Sequence, residues 1–96
     1  MQVIAINAPQ SEIKSRLFNY LKSRKYKIEM QIEPQCEFTA SRRVTFFKRN
    51  YYYFKLIHIG NEIFHLIIKV NPQHKNPTPN DLNTELSVAE SMHNYF

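Results

Sequence analysis

At Tyr26 the spacing of apolar residues changes from helical to strand-like, and no other feature limits the fold as much. Before it, Ile13, Leu17, Tyr20 and Leu21 fall on one stripe of a roughly 3.6-residue period, with Lys14, Ser15, Asn19, Lys22 and Ser23 mainly opposite. After it, Tyr26, Ile28, Met30 and Ile32 alternate with Lys27, Glu29, Gln31 and Glu33, the period of a strand buried on one face. A helix is therefore followed at once by a strand. Ser11 is placed to cap the helix, Arg24 and Lys25 suit its carboxyl end, and Pro34 stops the strand because it has no N–H to donate. Upstream, residues 2–7 read as a short strand carrying Val3, Ile4 and Ile6, closed by Asn7-Ala8-Pro9.

Residues 37–49, 51–59 and 62–70 are rich in Phe, Tyr, Val, Ile and Thr and predict three consecutive strands. Gly60-Asn61 is a two-residue hairpin signal, and Arg49-Asn50 a weaker one. Residues 71–80 hold three prolines and no aliphatic side chain, which predicts a connector. Asp81 then caps a last helix whose stripe is Leu82, Leu86, Ala89, Met92 and Phe96. The order β-α-β-β-β-β-α predicts an α+β fold: one domain over residues 1–96, with a mainly antiparallel sheet of about five strands and both helices on one face. At 96 residues there is material for one core and not for two.

With two-residue loops at both hairpins, alternation predicts a helix-covered face of Val44, Phe46, Tyr53, Ile57, Ile59, Phe64, Leu66, Ile68 and Val70. The opposite face then collects Arg43, Thr45, Phe47, Tyr52, Phe54, Leu56, His58, Ile63, His65, Ile67 and Lys69. Such a face is too aromatic to stand bare in water, so it predicts an interaction surface. Lys55 and Arg42 on the covered side are a defect of this register, which a bulge near Asn50 would change.

The formal charge of +5 is unevenly placed. No Asp or Glu occurs in residues 38–61, a stretch that holds Arg42, Arg43, Lys48, Arg49 and Lys55. Residues 42–55 combine six aromatic with five basic side chains, and a one-signed field of this kind attracts polyanions. The first functional expectation is a small non-enzymatic module that docks a protein partner or a second copy of itself through this aromatic and basic face, since Tyr and Arg are common interface anchors. The alternative is a single-stranded nucleic-acid-binding or regulatory protein, with Phe47, Tyr52 and Phe54 stacking on bases and Arg42, Arg43, Lys48, Arg49 and Lys55 on phosphates. A third is a carrier with an apolar ligand between sheet and helices. Ten Ile, nine Asn and eight Lys beside a single Gly suit an A+T-rich coding sequence, which favours a phage or mobile-element regulator.

The chemistry of catalysis is missing from the pattern. The one glycine, Gly60, leaves no phosphate-binding loop, and one Asp with seven Glu offers no paired-carboxylate spacing. Neither a cofactor nor a metal is expected. His58 and His65 are predicted as diagonal neighbours on the second face, where they would add to an anion-binding surface at mildly acidic pH, but two histidines fall short of a zinc ligand set. His74 and His93 lie apart from them, and Cys36 reads as a bystander thiol. The start of the chain has no secretory-signal pattern, and no apolar run approaches the roughly 20 residues of a membrane helix, so the expected setting is the cytoplasm with no membrane partner.

Overall fold

The computed structural model describes residues 1–32 and 36–96. Strands β1 (Gln2–Asn7), β2 (Lys27–Ile32), β3 (Glu37–Thr45), β4 (Lys48–Gly60) and β5 (Ile63–Val70) form one sheet in the order β1-β5-β4-β3-β2. All four pairings are antiparallel. Helices α1 (Gln10–Ser23) and α2 (Pro79–Tyr95) share a single core with one sheet face and touch each other where Tyr20 Oη donates to Ser91 Oγ at 2.9 Å. The predicted α+β order and architecture are those observed. The stop assigned to Pro34 lies outside the described residues.

Helix α1 buries the four residues its periodicity selects, Ile13, Leu17, Tyr20 and Leu21. Ile13, Leu17 and Leu21 are each worth about 1.5 to 3 kcal/mol relative to exposure. Ser11 lies inside the helix rather than capping it, because the chain enters through extended Pro9, which makes no side-chain cap. At the other end Lys25, at φ 62°, takes the left-handed position that glycine usually fills, with Tyr26 N–H donating to the Leu21 carbonyl and Lys25 N–H to that of Lys22.

Three registers differ from expectation. In β2 the alternation breaks at Glu29, where a bulge separates Ile28, packed on the core, from Met30, which pairs with Thr39 and is exposed. Between β4 and β5 the turn is Asn61-Glu62 rather than Gly60-Asn61: Asn61 supplies the left-handed φ of 47°, and a bulge at Ile59 shifts the pairing by one residue. Such a shift moves every side chain of β4 to the other face. Between β3 and β4 the turn is Phe46-Phe47, not Arg49-Asn50, and Val44 is bulged.

The consequence for the core is direct. Tyr52, Phe54 and Leu56, expected on the second face, are buried under the helices beside Phe38, Phe64, Leu66 and Ile68. Tyr53, Ile57 and Ile59, expected there, face the other way, and Val44 and Phe46 are exposed.

Helix α2 is also turned from its expected stripe. Thr78 is the N-cap and Asp81, the third residue of the helix, closes a reciprocal capping box with it. The buried line runs Asp81, Glu85, Val88, Ala89 and Met92, while Leu82 and Leu86 are about half exposed. The rotation follows from Asp81, whose carboxylate accepts hydrogen bonds from Asn71 Nδ2 at 2.9 Å and Thr78 N at 3.0 Å and contacts His74 Nδ1 at 2.7 Å. Burial alone would push this carboxyl up, but the bonds from Asn71, His74 and Thr78 outweigh it and hold it well below the ordinary carboxylate range.

Candidate nucleic-acid interface

Strand β2 stops supporting β3 at Ser41, which pairs with Lys27, and β5 stops supporting β4 at Tyr52, which pairs with Val70. Beyond those points β3 and β4 run on as a free two-stranded ribbon through the pairs Arg42-Asn50, Arg43-Arg49 and Thr45-Lys48. Four residues a side at about 3.3 Å each carry it roughly 13 Å past the body. Its outer part, residues 42–48, is exposed at every position.

The base of the ribbon is fixed. Asn71, at φ 50°, donates its N–H to the Tyr51 carbonyl at 2.6 Å and accepts from Tyr51 N through Oδ1 at 2.9 Å. Its Nδ2 donates to Asn50 Oδ1 and to Asp81 Oδ1, tying ribbon, sheet end and α2 together. The sequence marks residues 71–80 as a connector and gives no sign of this junction, because the signal is a backbone angle at an ordinary Asn.

Phe46 and Phe47 are 79% and 93% exposed, the least covered large apolar residues in the protein. Their rings meet edge to face at 4.9 Å, and the Arg43 guanidinium lies 6.0 Å from the Phe46 ring centre. Arg43 and Arg49 sit directly opposite each other, and no acidic residue occurs anywhere in the ribbon. Like charges paired this way weaken a ladder. Among the described residues no ion pair involves Arg42, Arg43, Lys48 or Arg49, whereas Arg16 pairs with Glu12 and Lys55 with Glu37. Arg42 lies 5.2 Å from the ring of Tyr26.

Of the residues singled out in the sequence, Arg42, Arg43, Phe47, Lys48 and Arg49 are brought together on this ribbon. Tyr52 and Phe54 are 3% and 0% exposed, so neither ring offers a face on which a base could stack. Lys55 lies within the sheet against Glu37 at 3.5 Å, away from the tip. His58 stacks on Phe64 at 4.8 Å, while His65 pairs with Ile57 across the sheet, so the two histidines occupy opposite faces. Phe46 belongs to the tip although alternation had placed it in the core.

An Arg49→Glu exchange reads the opposed cations directly. Placed across from Arg43, the carboxylate is expected to raise stability by about 0.2 to 1 kcal/mol and to weaken polyanion binding, both measurable on one preparation. A loss of stability would show that the opposed cations cost the ribbon nothing.

The sheet face away from the helices is uncovered. Val3, Met30, Ile59 and Ile63 are 46%, 52%, 54% and 41% exposed there, with Ile57 and Ile67 half-buried between them. An open groove of about 480 Å³ lies at the ribbon base, lined by Glu29, Thr39, Tyr51, Pro72 and Gln73 with the edges of Ala40 and Tyr52, and is not a space between sheet and helices. Among the described residues no cluster of His, Cys, Asp and Glu could hold a metal ion, and no helix is long and apolar enough to cross a membrane. Buried Cys36 is approached by the Gln10 amide at 2.8 Å. Comparison with protein-family models, curated proteins and solved structures gives no match.

Proposed function

We propose that the protein binds nucleic acid through the β3-β4 ribbon. The observation that carries this is a hairpin, fixed at its base, that bears Arg42, Arg43, Lys48 and Arg49 with no acidic side chain of its own and, among the described residues, no ion pair to these four. Cations left in mutual repulsion gain most from a phosphate backbone, whose counterions they displace. The expected activity is binding without catalysis.

Salt is the test. Four phosphate contacts give a log-log slope of about −3.6 on duplex DNA and roughly a 10²-fold loss of affinity between about 50 and 200 mM salt. Fluorescence anisotropy with a labelled duplex and a labelled single strand measures both. Binding of neither at low salt, or affinity indifferent to salt, overturns the proposal.

A second reading, docking of another copy of the chain, is favoured by a different observation. The apolar residues of the bare sheet face reach the β1 edge, where Gln2–Asn7 has no charge, proline or bulge to discourage pairing, while the β2 edge carries Lys27 and the Glu29 bulge. Antiparallel β1-β1 pairing about a two-fold axis would join the two faces. Light scattering at high concentration should then give a dimer that Val3→Lys dissociates. A strict monomer rules it out.

A further inference from the structure

We infer that the target is double-stranded and that Phe47 acts as a wedge, entering a base step from the minor groove and bending the duplex. This rests on the nucleic-acid reading above. A single-strand platform needs a row of well-exposed rings on one face, but Tyr52 and Phe54 are sealed in the core, Tyr51 and Tyr53 are partly covered at the ribbon base, and the least covered rings, Phe46 and Phe47, stand at the tip. Cations along a projecting ribbon with an apolar tip match the other arrangement, in which Arg and Lys follow the minor groove and an inserted side chain pries two base pairs apart. The side chains of residues 42–48 are Arg, Val, Thr, Phe and Lys, and in a minor groove they meet only a degenerate pattern of base edges. Contact is therefore with backbone, groove width and deformability.

The geometry selects one ring. Phe46 and Phe47 stand at 82° to each other, so only one can lie parallel to the bases. Phe46 is held beside the Arg43 guanidinium, and Phe47, 93% exposed, is free to enter the step. The same contact argues against a lipid bilayer as the target. Burying the Phe46 ring in hydrocarbon would draw Arg43 in with it, a costly position for a charge, whereas in a groove the guanidinium lies alongside phosphates.

The experiment is a duplex of about 25 base pairs, with a flexible TA step at its centre and a donor and acceptor dye at its ends. Wild-type protein should raise transfer efficiency in line with a bend of roughly 20 to 90°. Phe47→Ala should bind more weakly, keep the salt slope because the phosphate contacts remain, and give no bend. Unchanged transfer on saturation by the wild type, an equal bend with Phe47→Ala, or preference for single strand over duplex each overturns the wedge while leaving ribbon binding intact. Binding to vesicles containing anionic lipid, with none to duplex or single strand, overturns both.

Discussion

Phe54→Ala is expected to destabilise the protein by about 3 to 5 kcal/mol, whereas Phe47→Ala should change stability by no more than about 0.5 kcal/mol. The two residues belong to the same hairpin, and sequence alternation places both on one exposed face. In the structure Phe54 is 0% exposed, aligned with Ile68 across the sheet and stacked near Tyr52, so its loss leaves a cavity beneath the helices. Phe47 touches little besides Phe46 and loses almost nothing on truncation. Urea unfolding with a shared m-value measures the difference. Comparable effects at the two positions would mean that the β4 register, and with it the shape of the ribbon, is wrong.

Asp81→Ala should cost about 2 to 4 kcal/mol, because it removes the side-chain arm of the capping box and leaves the buried Asn71 amide and the Thr78 N–H without their carboxylate acceptor. The wild-type contribution also has a definite pH dependence. The folded carboxyl lies below its ordinary value, so the unfolded chain takes up the proton first. The stabilisation is therefore complete above about pH 5, where the unfolded carboxyl is almost fully ionised, and fades as pH falls further. Denaturant titrations across this range should show wild type and Asp81→Ala converging towards low pH. A difference that stays constant down to strongly acidic pH would contradict the sign. Because Asn71 also grips Tyr51 and Asn50, the same acidification is expected to loosen the ribbon base.

How much of this was legible depends on which signals leave a mark in side-chain order. Element order was, since each change of period separates a helix from a strand, and α1 buries the residues its stripe names. Registers were not. Phe46-Phe47 has none of the Gly, Asn or Asp chemistry that advertises a turn, and neither residue adopts a positive φ; the Val44 bulge accommodates it. Arg49-Asn50 resembles a turn more closely and draws the assignment away. A single bulge at Ile59 then suffices to exchange Tyr52 and Phe54 for Tyr53 and Ile57.

The cationic site was visible before its shape was. A stretch of 24 residues without an acid survives any change of register, so Arg42, Arg43, Lys48 and Arg49 stand together whichever way the strands pair. The aromatic half of the expectation did depend on register. With Tyr52 and Phe54 sealed away and Tyr51 and Tyr53 partly covered, the least covered rings are the two at the tip, and the favoured ligand passes from single strand to duplex. Leu82 and Leu86 failed for another reason: hydrophobicity alone cannot anticipate that Asp81 and Glu85 take the inward line of α2.

The ribbon and the bare sheet face are separate surfaces, and one titration tells them apart. Backbone amide shifts of isotope-labelled protein, followed as a short duplex is added at low salt, should change at residues 42–50 and leave Val3, Ile57, Ile63 and Ile67 where they are. Shifts concentrated on those sheet residues, or none anywhere at saturating duplex, would contradict the assignment of the cationic hairpin as the binding element.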